Sequence, residues 1–233
     1  MIWELLESYD ALSARAAELF LDGIRRNPRI VFGLPTGRTP VRMYDRVVKE
    51  CRRKYHCFRE VTTFNLDEYV GIDRHDHGSY FTFMREHLFD HVDLDPERAN
   101  LPNGMAPDLD AECERYEAAI REAGGLNLAF LGLGRNGHIG FNEPGTPFHS
   151  RTRVVELTES TRSANASLFD HGVVPERAIT MGIGTILDSA SIVLLATGSG
   201  KQEAIARLRS GQVTEAFPVS ALWRHHDVRV LVA

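Results

Sequence analysis

Long apolar runs are missing from this chain: the longest, such as residues 192–196, fall far short of the roughly 20 residues a membrane-crossing helix needs. No membrane partner is therefore expected. An excess of positive charge is missing too. The 27 Lys+Arg stand against 32 Asp+Glu, a net −5, which argues against nucleic acid and anionic lipid, since both reward a basic face. Cysteine is scarce: Cys51, Cys57 and Cys113 are odd in number and sit in no metal-type spacing, which fits a reduced cytoplasm and no bound metal. The first ten residues carry Glu4 and Glu7 without a basic start or an apolar core, so no secretory signal is expected. No repeat, low-complexity tract or linker divides the chain. What is present is ordinary globular material, 43% hydrophobic and 25% charged over 233 residues. A chain of that length buries about 70–75% of its unfolded surface, and one domain over 1–233 is expected.

Short apolar runs alternate with helical periodicity, the pattern of an α/β protein with a mostly parallel central sheet and helices on both faces. Leu12, Ala16, Leu19, Phe20 and Ile24 recur at helical spacing, and the Asn27-Pro28 pair ends that helix. Strands are predicted at 29–34, 61–66, 128–133, 154–157, 178–181, 191–196 and 228–232. Helices are predicted from about 40, over 79–90, up to 123, over 159–169 and 200–209, with a short one at 219–223. Asp110 is the expected N-cap of the helix that stops at Gly124-Gly125. Segment 92–108 reads as a surface connection. His75/His77 and His225/His226 read as surface histidines rather than metal ligands.

Open parallel sheets bind ligands beyond the carboxyl ends of their strands, and four loops here follow strands. Residues 35–39 join a strand to a helix start, where free N–H groups and the helix dipole favour an anion. Gly37 admits a close backbone approach, and Thr36 and Thr39 add hydroxyls. Phosphate binding and a plain turn capped by Thr39 both stay open. Residues 197–201 share that setting and add Lys201, but lack the first glycine and the Ser/Thr of a nucleotide-phosphate loop. Residues 132–137 match the letter of G-x-G-x-x-G, yet two further glycines and Pro144 follow, so no dinucleotide-binding helix is expected. That loop instead holds His138 and Glu143, placed for proton transfer near neutral pH. Asp67 and Glu68 close an apolar strand. Neighbours on extended chain point to opposite faces, so one carboxylate can face a pocket while the other makes structural bonds.

Seven segments, taken together, carry a resemblance: GLPTGRTP (33–40), FNLDEYVGI (64–72), SYFTFM (79–84), PNGMAPDLDAECERYE (102–117), LGLGRNGHIGFNEPGT (131–146), SRTRVVELTESTRSANA (150–166) and TMGIGTIL (180–187). In that order they resemble the glucosamine-6-phosphate deaminase family, short variant, across nearly the whole chain. The resemblance implies a Rossmann-like fold and a reaction needing neither metal nor cofactor, in amino-sugar catabolism. An amino-sugar 6-phosphate would become fructose 6-phosphate and ammonia. By motif position Asp67 resembles the base that moves a proton between C2 and C1. His138 resembles the ring-opening residue, with Glu143 as its orienting partner. Lys201 and residues Thr36, Gly37, Arg38 and Thr39 look like the phosphate site.

The departures are as informative. Long, regulated members carry Asp where this chain has Asn136, which can hydrogen-bond an imidazole but cannot offset its positive charge. Ser167 stands where the family usually has a phosphate-holding arginine, and Arg38 stands where it has Gly or Ser. Arg38 is accordingly expected to reach the phosphate in place of the missing arginine. Val155 replaces a lysine that long members use in regulation, which implies an unregulated enzyme, monomeric or a small homo-oligomer. Galactosamine 6-phosphate as substrate, 6-phosphogluconolactone hydrolysis and a non-catalytic sugar-phosphate sensor are the alternatives.

Overall fold

Several helices begin where a short polar side chain takes up a free backbone N–H. Ser8 accepts from the Ala11 N–H, Ser79 from Phe81, and Asp108 from both Asp110 and Ala111. The cap of the 109–122 helix is thus Asp108, not Asp110, because the side chain just outside the first turn faces its N–H groups. A computed structural model describes residues 1–53, 58–166, 169 and 174–233; Cys57 and Ser167 lie outside the described residues. In order the elements are β1 (Ile2–Leu5), α1 (Tyr9–Arg26), β2 (Val31–Leu34), α2 (Val41–Arg53), β3 (Thr62–Asn65), β4 (Asp67–Tyr69) and α3 (Tyr80–His87). There follow β5 (Ala99–Asn100), α4 (Leu109–Glu122), β6 (Leu128–Gly132), β7 (Arg153–Glu156) and α5 (Glu159–Asn165). The chain goes on through β8 (Arg177–Thr180), α6 (Ile183–Leu187), β9 (Ser191–Ala196), α7 (Gln202–Arg209) and β10 (Val228–Val232).

The main sheet has the order β1-β10-β9-β6-β2-β3-β5, every described pairing parallel. Alternate strand residues serve two cores. Phe32, Phe130, Val193 and Leu195 pack with Phe20 of α1 and Met43 of α2 on one face. Val31, Ala129, Leu131 and Leu194 pack with Tyr116 of α4 and Leu208 of α7 on the other. Strands β4, β8 and β7 form a separate antiparallel sheet over the end of the first. The runs expected near 154–157 and 178–181 lie in this second sheet, and β1 and β5 were not anticipated from the sequence. Both are short edge strands whose pairing depends on the free edges of β10 and β3. The fifth helix stops at Asn165 rather than 169. The expected 200–209 helix starts instead with a 3₁₀ turn at Ser199–Lys201.

Chain direction across β2, β3 and β6 creates the crevice. From β2 the chain moves outward to β3 and β5, then returns to lay β6 on the other side of β2. Strands β2 and β6 therefore flank a topological switch point, where ligands bind beyond carboxyl ends. The four chemistry-bearing loops follow the adjacent strands β9, β6, β2 and β3. No described helix is long and apolar enough to cross a membrane. Cys51 and Cys113 are buried, and burial pushes the Cys113 thiol up to about 11. His225 departs from expectation. It is buried, with Nε2 2.7 Å from the Ser189 carbonyl and Nδ1 accepting from the Asp227 N–H at 3.1 Å; His75, His77 and His226 are exposed.

Glu68 places α3. Its buried carboxylate accepts from the Ser79 hydroxyl (2.8 Å) and the N–H groups of Tyr69 (2.8 Å), Tyr80 (3.0 Å) and Phe81 (3.0 Å). Truncation strands these donors out of water, at roughly 1–3 kcal/mol for a buried unsatisfied group. Glu68→Ala is expected to cost about 2–4 kcal/mol in urea unfolding. An unchanged midpoint would show that water takes over the donors without loss.

Candidate active site

Asp67 begins β4, separated from the end of β3 by Leu66 alone, and its side chain turns opposite to that of Glu68. It is 6% exposed. Burial, and then the charge of Glu68, push its carboxyl up to about 8. Across from it runs the 138–143 loop. Gly140 has φ +56°, and a Cβ there would stand 3.0 Å from Thr180 Oγ1 and 3.4 Å from Asp67 Oδ2. Glycine thus lets the loop pass against the carboxyl with space beside it. The Phe141 N–H donates to Thr180 Oγ1 (3.1 Å), and Asn142 Nδ2 donates to the carbonyls of Ile139 and Met181, both at 2.8 Å. Arg153 in turn donates to Asn142 Oδ1 at 2.9 Å. These bonds tie the loop to β8, hence to β4 and Asp67.

Two residues before Gly140 stands His138, whose ring occupies the space a side chain on Gly134 would need. Burial holds the imidazole below its usual range; Glu143 pulls its proton affinity up and Lys201 pulls it down. The ring is thus neutral at neutral pH, as a proton carrier should be. His138 Nδ1 lies 3.7 Å from Glu143 Oε1, buried and without a hydrogen bond among the described residues. Such long contacts often tighten when substrate arrives. Glu143 itself is anchored: Oε2 accepts from Asn136 Nδ2 at 2.6 Å and Oε1 from the Thr161 hydroxyl at 2.7 Å. Asn136 does not reach the imidazole, as the sequence suggested it could. Its Oδ1 instead accepts the backbone N–H of His138 at 3.2 Å. Thr161, on α5, escaped the sequence reading, because nothing in its spacing marks it as a neighbour of Glu143.

The 35–39 turn is braced by two tyrosines. Tyr44 donates to the Pro35 carbonyl at 2.6 Å, and Tyr9 donates to the carbonyls of Arg38 (2.9 Å) and Thr39 (3.0 Å). Gly37 has φ +95°, which only glycine adopts freely. The Thr36 side chain lies beside the Tyr80 hydroxyl, which donates to that of Tyr69 at 3.2 Å. Arg38 is exposed. Across β6, Gly198 at φ +99° turns the chain into Lys201. Burial foremost, then Arg135, hold the Lys201 ammonium below its usual range. The structure thus sets Asp67 against the loop that carries His138 and Glu143, and puts Lys201 near enough to bias that histidine. Thr36, Gly37, Arg38 and Thr39 lie in the neighbouring turn after β2. Among the described residues no cluster of His, Cys, Asp or Glu is arranged to hold a metal.

Fold and site together define a Rossmann-like α/β protein with an acid–base pair and a phosphate-type turn beyond its sheet. The chain belongs to the glucosamine-6-phosphate deaminase family, its residues 6–232 matching the family described as glucosamine-6-phosphate isomerases/6-phosphogluconolactonase. It is 51% identical to glucosamine-6-phosphate deaminase of Lysinibacillus sphaericus, over 99% of this chain and 98% of the relative. It is 47% identical to glucosamine-6-phosphate deaminase 1 of Bacillus subtilis, over 97% and 94%. The solved structure of a monomeric glucosamine-6-phosphate deaminase superposes with TM-score 0.97 at 46% identity, covering 100% of this chain and 97% of that one. A 6-phosphogluconolactonase from Thermotoga maritima, 19% identical with TM-score 0.77 over 99% and 98%, shares the fold.

The raised carboxyl sets the sign of a stability effect. Between the unfolded value of 3.8 and the folded value of about 8, native Asp67 holds a proton that the unfolded chain has lost. This contribution is full below 3.8 and is lost as pH rises through 8. Asp67→Asn is free of that loss. Calorimetry is expected to show the variant melting about 3 °C or more above the parent at pH 8, the gain shrinking towards pH 4. A lower Tm at pH 8 would mean the carboxylate stabilises the fold.

Proposed function

We infer that this protein converts glucosamine 6-phosphate and water to fructose 6-phosphate and ammonia, an isomerisation coupled to deamination, in amino-sugar catabolism. The observation that carries the reading is the buried Asp67 carboxyl facing a loop with a neutral histidine and an anchored glutamate, in a chain half identical to named deaminases. Residues 1–233 act as one domain, a monomer in the cytoplasm.

Residue chemistry supports a sequence of proton movements. His138, oriented by Glu143, takes the proton of the C1 hydroxyl and returns one to the ring oxygen, so the pyranose opens. Asp67, ionised, removes the proton at C2; the adjoining amine makes the intermediate an enolamine. Returning that proton to C1 leaves an imine at C2, and water adds there to release ammonia. Asn136 and Thr161 hold Glu143 so that its charge faces the imidazole. The 36–39 turn with Lys201 holds the 6-phosphate, Arg38 reaching it from the turn's outer side. The raised carboxyl of Asp67 costs little driving force at C2, because a base works best with a proton affinity near the working pH.

A coupled assay for ammonia and fructose 6-phosphate on the gluco and galacto epimers tests this. Glucosamine 6-phosphate is expected to turn over, with Asp67→Asn slower by about 10²–10⁴-fold. No ammonia from the parent protein would end the proposal; turnover of the galacto epimer alone would reassign the substrate. In the free enzyme kcat/KM is expected to climb with pH up to about 8 as Asp67 ionises, and a profile flat down to pH 5 contradicts Asp67 as base. Arg38→Gly is expected to raise KM about tenfold with kcat retained, as loss of one charge-assisted phosphate bond does. An unchanged KM removes Arg38 from the phosphate site.

A further inference from the structure

Two cations stand together beyond the sheet. Arg135 lies in the turn after β6 and Lys201 in the turn after β9, and those strands are neighbours. A Cβ built on Gly200 would meet Arg135 Nε at 3.1 Å and Cζ at 3.5 Å, so the guanidinium lies over the backbone just ahead of the lysine. The lysine is half-buried, and Arg135 adds to burial in lowering its hold on a proton. Other arginines of the chain have acidic partners: Arg15 with Glu4, Arg85 with Asp90 and Arg115 with Glu112, at 2.6–2.7 Å. Among the described residues neither the Arg135 guanidinium nor the Lys201 ammonium makes a hydrogen bond or an ion pair; the lysine's backbone N–H donates to the Gly198 carbonyl at 3.1 Å. Glu143, the carboxylate of the same loop, is taken by Asn136 and Thr161. Like charges that the fold forces together repel until an anion joins them, and a guanidinium offers a phosphate two parallel donors.

We infer that Arg135 binds the substrate's phosphate, its guanidinium and the Lys201 ammonium gripping the dianion from the side opposite the 36–39 turn. This rests on the sugar-phosphate reading of the site. Gly200 is part of the device: a side chain there would lift the guanidinium from the lysine. Arg135 is exposed, so the pair is open to a ligand arriving from solvent.

Arg135→Gln is the test, with Arg135→Lys beside it. In Arg135→Gln, KM for glucosamine 6-phosphate is expected to rise about 10- to 100-fold, the loss of a charged hydrogen bond, with kcat nearly kept. Binding of inorganic phosphate and of fructose 6-phosphate, followed by calorimetry without turnover, is expected to weaken by a similar factor. Arg135→Lys is expected to recover part of both. Unchanged KM and unchanged phosphate binding would overturn the inference. So would a fall in kcat alone, which would assign Arg135 to the histidine rather than the phosphate. If the parent protein binds phosphate more tightly than Arg135→Gln yet releases no ammonia, the anion clamp stands and the deaminase reading falls.

Discussion

A carboxyl buried with no positive partner among the described residues is the constraint around which this molecule is arranged. Asp67 and Glu68 are both buried; burial pushes the proton affinity of each up, and the charge of Glu68 pushes that of Asp67 up further. Such a pair is costly, because desolvation of a charge is repaid only by hydrogen bonds or an opposite charge. The fold treats the two differently. Glu68 receives three N–H groups and a hydroxyl, two of those N–H groups from the first turn of α3. Asp67 receives no such compensation among the described residues and keeps its proton to about pH 8. The stability given up at Asp67 is the source of its basicity, a trade often met where activity needs a strained group.

The other parts of the site follow from where that carboxyl sits. A second, antiparallel sheet fixes β4 against β8, and Thr180 of β8 receives the Phe141 N–H. The 138–143 loop is therefore registered on the same strand that registers Asp67. Its glycines serve close approach rather than looseness: Gly134 accommodates the His138 ring, and Gly140 passes beside the carboxyl. At the other end two tyrosines pin the carbonyls of the 35–39 turn.

Much of the site was legible in the chain before its folding was considered, and the reason is local. Strand-to-loop transitions at 34–35, 66–67, 133–134 and 196–197 follow from apolar runs that end at Pro35, Asp67, Gly134 and Thr197-Gly198. Such ends in a parallel sheet all face one way. Opposite facing of Asp67 and Glu68 follows from the pleat. Less legible were contacts between segments of unrelated spacing: Thr161 on Glu143, Arg153 on Asn142, Arg135 over Gly200. The reading of Asn136 as a partner of the imidazole failed for the same reason. A two-residue separation in a turn with a positive-φ glycine, Gly137, aims its amide at Glu143 instead.

The amino-acid sequence by itself determined the element types, the alternation that makes a two-faced sheet, and the residue chemistry of four loops, since these depend on neighbours a few positions apart. Only the tertiary structure decided which strands sit at the edges, that β4, β7 and β8 leave the main sheet, and which polar groups anchor Glu143 and flank Lys201. Those outcomes depend on which surfaces meet once the cores close, and hydrophobic pattern alone does not encode partners so far apart along the chain.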